Sequence, residues 1–214
     1  MATYKQGILG GFRGKVGTVI GSFWKGRCVM RSVPNHVSDP QTPAQMAQRS
    51  RMTLVSHFLS SVLGFVNIGY RNYTAVETAS NAAMRDNLAK AVIGSGTAVS
   101  LDLDKVQLSK GALLNVEDPA VVVGTAHSCN VTWTDNTGAA DDALATDIVM
   151  VCLYNQAKSA STYDAVSATR ADEALSVHHP SGWAGDTVTV FACTSNVDRS
   201  NLSDSVKVGS FTAA

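Results

Sequence analysis

The chain has 214 residues, of which 45% are hydrophobic and 16% are charged, and this balance predicts a folded globular protein. The N-terminus carries no apolar run of signal-peptide length, and no stretch reaches the roughly 18 to 20 apolar residues that a membrane-spanning helix needs. We therefore expect a protein that is made in the cytoplasm and has no membrane span.

The formal net charge is zero, but the two signs are separated along the chain. Residues 1–51 contain eight basic residues and one acidic residue, whereas the remainder contains nine basic and sixteen acidic residues, so the two parts carry +7 and −7. Such a split indicates either an anionic partner for the basic end, such as nucleic acid, or pairing of the basic end of one copy with the acidic body of another. The sequence leaves both alternatives open.

Residues 4–33 contain seven glycines among β-branched and basic residues, which predicts short strands joined by tight turns. The strand cores are predicted at residues 15–20 and 27–31. A segment this rich in glycine cannot bury enough apolar surface to be stable alone. We therefore expect residues 1–35 to form a basic β-hairpin arm that docks on the protein's own helices or on a neighbouring subunit.

A helix start follows the arm. Thr42 is a suitable N-cap, Pro43 suits the first helical position, and Gln45 can complete a capping box. Apolar residues then recur at spacings of three and four, which predicts one helix with a buried face as far as about Gly69.

A second helix is predicted from near Thr78 to Val92, ending at Gly94, and the two helices would form a helical hairpin over residues 36–96. From residue 99 the pattern changes to period two, with turn signals between the runs. Strand-like runs occur at residues 99–103, 121–123, 129–133, 148–154, 162–166, 174–177, 188–193 and 205–208.

Seven or eight short strands at this spacing predict an immunoglobulin-like or fibronectin-like antiparallel β-sandwich over residues 97–214, with Trp133 in its core. The fold class expected for the whole chain is therefore α+β. The cysteines, Cys28, Cys129, Cys152 and Cys193, form no CxxC pair, so we expect free, mostly buried thiols. Cys129 and Cys193 could face each other across the sandwich, but a disulfide is not expected in a cytoplasmic protein.

Motifs that would indicate catalysis or a bound cofactor are weak. The adjacent His178 and His179 would point to opposite faces of a strand, so they cannot readily share one metal ion. The glycines near Gly14 are followed by no Gly-Lys-Ser/Thr sequence, and no Gly-x-Ser-x-Gly elbow is present. We therefore expect no enzyme, no metal, no cofactor and no small-molecule substrate.

Several motifs resemble an uncharacterised domain family found repeatedly in Bacteroidota genomes. They are GGFRGKVGTVIGS from residue 10, WKG from residue 24, TPAQMAQR from residue 42, NAAM from residue 81 and WTDN from residue 133. That family brings no known biochemical function. The order of the Gly-Lys-Val-Gly motif, a basic strand, a Thr-Pro-Ala-Gln motif and a helix is also similar to small proteins encoded in phage and prophage regions, which implies a virion component.

Three functions are therefore expected, in this order: a structural or assembly protein, such as a phage virion component, that docks through its arm and displays the sandwich; an intracellular nucleic-acid-binding protein; and a secreted interaction module. The partners would be other copies of the chain, other particle proteins or nucleic acid. The residues predicted to contact a partner are Phe12, Arg13, Lys15, Trp24, Lys25, Arg27, Arg31, Arg49 and Arg51. Phe12 and Trp24 would be its apolar anchors, because large aromatic side chains supply most of the area that such a segment can bury.

Overall fold

The structure is a computed structural model that describes residues 3–4, 10–24, 26–36, 38–75, 77–124, 127–140 and 142–214. The chain forms two compact units, residues 1–41 and residues 42–214. The acidic residues outnumber the basic ones only in the second unit, which has sixteen acidic and eleven basic residues, against one and six in the first.

The first unit contains an antiparallel four-stranded sheet, which we call the N-terminal sheet. Its strands, in spatial order, are β1 (Thr3–Tyr4), β2 (Phe12–Val16), β3 (Val19–Trp24) and β4 (Arg27–Ser32). The prediction of a single strand over residues 15–20 is wrong, because Gly17 has a φ of +55° and turns the chain between β2 and β3. The predicted strand at residues 27–31 lies within β4.

The second unit opens with helix α1 (Pro43–Ser61), and the predicted capping box is present. The backbone N–H of Gln45 donates to Thr42 Oγ1 at 3.4 Å, and the N–H of Thr42 donates to Gln45 Oε1 at 3.2 Å. The prediction of one helix to Gly69 is wrong. The chain bends by 88° between α1 and the short helix α2 (Leu63–Gly69), with Val62 fully buried at the bend.

A tight approach accompanies this bend. A Cβ at Gly64 would lie 2.7 Å from the hydroxyl oxygen of Tyr163, so only glycine lets the tyrosine ring come this close. Helix α3 (Ala79–Lys90) begins at the N-cap Thr78, whose hydroxyl accepts a hydrogen bond from the N–H of Asn81 at 3.2 Å.

The second helix ends earlier than predicted. Residues 92–95 are not helical and form strand β5 (Val92–Ser95), which pairs with β6 (Ala98–Leu101) in a separate hairpin. Gly94 has a φ of +99°, a value that glycine adopts without strain. The run predicted at residues 99–103 therefore belongs to this hairpin and not to the sandwich.

Two antiparallel sheets follow, with strand orders β10-β9-β12-β13 and β11-β8-β7. Their strands are β7 (Glu117–Val123), β8 (Ser128–Thr134), β9 (Ile148–Asn155), β10 (Ala160–Thr169), β11 (Ala174–His178), β12 (Thr187–Ser195) and β13 (Val206–Thr212). The two sheets pack face to face around a core that includes Trp133, which is 5% exposed. The predicted α+β fold class with an antiparallel β-sandwich is confirmed, and the sandwich divides its strands four against three.

The four-stranded sheet of the sandwich is buried on both faces. Val151 and Leu153 of β9 point into the core between the two sheets, whereas Cys152 and Tyr154 point into a second core beneath the helices. The Phe58 and Tyr154 rings meet edge to face there, with centroids 5.0 Å apart. The second unit thus has three layers, and the domain boundary expected between residues 96 and 97 runs through a single compact unit.

The cysteines follow this layering. Cys129 lies in the core between the sheets, while Cys193 lies with Cys152 in the core beneath the helices. Cys129 and Cys193 lie on strands of the two facing sheets, but their side chains do not meet, because β12 turns Cys193 toward the helices. All four cysteines are free, and Cys28 is exposed.

A fully buried ion pair holds one end of the sandwich. Arg170 Nη2 donates to Asp147 Oδ2 at 3.0 Å and to the carbonyl of Leu114 at 2.8 Å, and Nη1 donates to the side chain of Asn136. Trp133 Nε1 donates to the Arg170 carbonyl at 2.9 Å. One arginine therefore joins two loops, the one before β7 and the one between β8 and β9, to the core of the sandwich.

Candidate functional site

The N-terminal sheet carries four of the seven predicted basic residues on one surface. Residues alternate between the two faces of a strand, and the register of β2, β3 and β4 places Arg13, Lys15, Arg27 and Arg31 on the same face as Trp24. We call this surface the basic face. All five side chains are exposed.

Cross-strand neighbours give the basic face a defined layout. Ile20 stands between Lys15 and Arg31, with Lys15 opposite it on β2 and Arg31 opposite it on β4. Trp24 is opposite Arg27 and is 51% exposed. Among the described residues, no ion pair involves any of the four cationic side chains of this face, so their charge is directed to solvent.

The other surface of the sheet, which we call the apolar face, carries Phe12, Val16, Val19, Phe23 and Met30. Phe23 is 57% exposed and Met30 is 69% exposed. A Cβ at Gly21 would lie 2.7 Å from the Phe12 ring, so glycine is required beneath this aromatic side chain. Next to it, a cavity of about 280 Å³ is lined by Thr3, Gly11, Phe12, Arg13, Phe23 and Cys28.

The structure separates the residues that were predicted to act together. Phe12 lies on the apolar face and is partly buried, whereas Trp24 lies on the basic face, so the two anchors point in opposite directions. Arg49 and Arg51 belong to α1 in the second compact unit. The basic run of the sequence extends to residue 51, and the boundary at residue 41 divides it. Lys25 lies outside the described residues.

Sequence reasoning missed the apolar face. It gives no role to Phe23 and Met30. Arg13 and Lys15 alternate with apolar or small residues in β2, whereas β3 and β4 alternate less regularly. Period-two alternation over strands this short is the available signal, and it predicts a sheet with two chemically different faces. The glycines between the strands obscured that alternation.

The predicted histidine pair points two ways, as adjacent strand residues do. His178 is exposed, while His179 is 5% exposed and stacks on Trp183 with ring centroids 6.1 Å apart. In the described part of the chain, no group of three or more His, Cys, Asp or Glu side chains could hold a metal ion.

The buried thiols are protected from ionisation. Burial raises the pKa of Cys129 to about 11 and that of Cys193 to about 12. Burial, with a smaller contribution from Cys193, also raises the pKa of Cys152. We therefore expect the exposed Cys28 to be the thiol that reacts with soluble reagents in the folded protein.

A membrane-spanning helix must be both long and apolar. In the described ranges no single helix satisfies both requirements, and only α1 and α2 taken together do so, across their 88° bend.

Fold and surface together define a mixed α+β protein in which a β-sandwich is combined with a separate, two-faced N-terminal sheet. The chain belongs to a family of unknown function, DUF6266, whose sequence pattern matches residues 11–209. This agrees with the resemblance to an uncharacterised family. A search of curated proteins finds no match.

A solved structure gives a partial likeness, and it is described as "Computer-Based Redesign of a beta Sandwich Protein Suggests that Extensive Negative Design Is Not Required for De Novo beta Sheet Design". It is 18% identical, with a TM-score of 0.34, and the match covers 48% of this chain and 92% of that one.

Proposed function

We propose that the protein is a non-enzymatic structural component of a supramolecular particle and that it docks on neighbouring subunits through its N-terminal sheet. The observation that carries this proposal is the two-faced sheet itself, a compact unit with large apolar side chains exposed on one face and exposed cations on the other. The sandwich, with cores of its own, is then free to be displayed.

The exposed apolar side chains of the N-terminal sheet can be buried by a neighbouring subunit. Fully burying a large apolar side chain contributes about 1.5 to 3 kcal/mol. Phe23 and Met30 leave more than half of their surface exposed, so much of that contribution is available to an interface. A small, glycine-rich sheet gains little stability from its own side chains, and association with a neighbour would supply the missing contacts.

The finer assignment is a phage virion or prophage-derived particle, produced in the cytoplasm. Its support is the similarity of the Gly-Lys-Val-Gly motif, the basic strand and the Thr-Pro-Ala-Gln helix start to small phage and prophage proteins. A Bacteroidota origin for the family belongs to the same proposal.

A second candidate function is intracellular nucleic-acid binding. The observation that favours it is the position of Trp24 among Arg13, Lys15, Arg27 and Arg31 on one face. Cations that neutralise phosphates and an aromatic ring on which bases stack are the two components of single-strand recognition.

The first test compares the full chain with residues 42–214, a cut that follows the boundary between the compact units. We expect sedimentation velocity to show concentration-dependent oligomers of the full chain, and electron microscopy to show rings, tubes or shells. Both should be absent after truncation. A full chain that remains monomeric at about 100 μM, well above the Kd of a stable interface, would refute the proposal.

A substitution within the full chain sharpens this test. Phe23→Ser with Met30→Ser should weaken the oligomers by removing apolar side chains that are mostly exposed. Val166→Ser with Val197→Ser is the matched control, because these valines are 68% and 60% exposed on the second unit. Equal effects of the two pairs would show that the N-terminal sheet is not the interface.

A further inference from the structure

The basic face has a complementary surface on the second unit. We propose that the basic face of one copy binds the acidic end of the three-stranded sheet of another copy, giving a head-to-tail contact. This inference rests on the proposed assembly function and names the partner surface for it.

The acidic end is built by strand topology. β7 and β11 both run antiparallel to β8, which lies between them. The start of β7, the end of β8 and the start of β11 therefore lie at the same end of the sheet. Glu117 pairs with Thr134, and the N–H of Trp133 donates to the carbonyl of Glu173 at 3.0 Å. Five exposed carboxylates gather at this end of the sheet, namely Glu117, Asp118, Asp135, Asp172 and Glu173.

These carboxylates carry a large part of the unbalanced charge of the second unit. Six of the other acidic residues already meet a basic side chain within the unit, namely Glu77, Asp86, Asp102, Asp104, Asp147 and Asp186. In the described part of the chain, no ion pair involves the acidic end. The three strands beside it contain no lysine or arginine, and the nearby Arg170 is fully buried against Asp147.

Hydrogen bonds keep two of these groups charged. Bonds from the Thr137 side chain and N–H lower the pKa of Asp135, and bonds from the Thr169 N–H and hydroxyl lower the pKa of Asp172. The buried Arg170 adds a smaller attraction to Asp135 without forming an ion pair with it. The acidic end is therefore an anionic surface at neutral pH.

The dimensions of the two surfaces agree. On the basic face the charges extend over three adjacent strands, from Lys15 on β2 to Arg31 on β4. On the acidic end they also extend over three strands, from Glu117 on β7 to Glu173 before β11. Neighbouring strands are about 4.8 Å apart, so about 10 Å separates the outer charges on each surface.

A second copy is the favoured occupant because the opposite charge is already present on the chain. A contact between two different surfaces of one chain is heterologous, so repetition produces a closed ring or an open filament instead of a symmetric dimer. The particle geometry of the proposed function follows from such a contact.

A charge exchange tests this pairing in the full chain. Lys15→Glu with Arg31→Glu reverses the two outer charges of the basic face, and Glu117→Lys with Glu173→Lys reverses the two outer charges of the acidic end. Each double variant alone should weaken self-association by at least about tenfold, because like charges then meet. An equimolar mixture should regain most of the affinity, since the outer charges of both surfaces are anionic in one variant and cationic in the other.

Asp198→Lys is the control, since it makes the same kind of charge change at an exposed carboxylate between β12 and β13. It should leave self-association within about twofold of the unmodified chain. Circular dichroism establishes that each variant is folded. For a variant that is not folded, the charge-neutral Lys15→Gln with Arg31→Gln replaces it and should weaken association in the same direction.

The outcomes separate the two proposals. Oligomers that persist in both variants overturn the pairing and leave the assembly function standing, whereas an unmodified chain without oligomers overturns both. A labelled single-stranded 20-mer that binds at about 0.15 M salt and is lost only from the basic-face variant would assign that face to nucleic acid and overturn the pairing.

Discussion

The buried pair between Arg170 and Asp147 offers the sharpest test of how the second unit is held together. Asp147→Asn keeps the size and shape of the side chain but removes the charge that balances a fully buried guanidinium. The amide can still accept the hydrogen bond from the N–H of Leu144, which lies 2.9 Å from Asp147 Oδ2. What is lost is therefore mainly the ion pair.

Removing one partner of a buried ion pair costs about 3 to 5 kcal/mol, because the remaining charge stays out of water without compensation. In a compact unit of this size, 1 kcal/mol corresponds to about 2 to 4 °C, so Tm should fall by about 6 to 20 °C. Denaturant unfolding followed by tryptophan fluorescence measures the free energy, because Trp133 and Trp183 are both buried near the affected core.

Asp198→Asn is the matched control for this change and should cost less than about 0.5 kcal/mol, since its carboxylate is exposed. If Asp147→Asn costs no more than this control, the ion pair is not a determinant of stability. The carbonyl contacts of Arg170 with Leu114 and Asn115 would then hold the loops by themselves.

Four further changes test the helix cap, a close backbone approach and the burial of the thiols. Thr42→Ala should cost about 1 kcal/mol by removing the N-cap of α1. Faster amide hydrogen exchange at residues 44–46 would report the loss, and unchanged exchange would mean that the cap contributes nothing. Gly111→Ala should cost about 1 to 3 kcal/mol in thermal unfolding, because the new Cβ would lie 1.9 Å from the Leu202 carbonyl oxygen. Gly182→Ala is the control and should cost less, because the space around Gly182 is open. Equal costs of the two substitutions would contradict the steric explanation. At pH 8, Ellman's reagent should modify Cys28 alone in the folded chain and all four cysteines in denaturant. The stability associated with the buried Cys129 thiol should be complete below the unfolded pKa near 9 and be lost as the pH rises toward about 11, and a flat profile over that range would contradict it.

Local signals were sufficient for several elements. The start of α1 is encoded by four consecutive residues from Thr42, and the strands of the sandwich are separated by turn residues that act over a few positions. Such features depend on backbone geometry and nearby hydrogen bonds, so a sequence displays them directly.

The bend at Val62 and the burial of the central sheet depend on distant residues. The apolar spacing of α1 continues through α2, and the close approach of Tyr163 to Gly64 is a contact between residues far apart in sequence. The run Ile148–Tyr154 did contain a signal for burial on both faces, because it is apolar throughout instead of alternating. The candidate site was predicted in composition but not in geometry, since the separation of Phe12 from Trp24 requires the strand register.

The four-stranded sheet lies at the middle of the second unit and contributes side chains to both of its cores, so neither core is complete without it. A fragment that began at residue 97 would uncover Met150, Cys152, Phe191 and Cys193, all fully buried beneath the helices. Such a fragment would present a continuous apolar plane and would aggregate instead of behaving as a free sandwich. The helices are therefore needed to cover this face of the sheet. A fragment made for expression or fusion must retain residues 42–96 together with the sandwich.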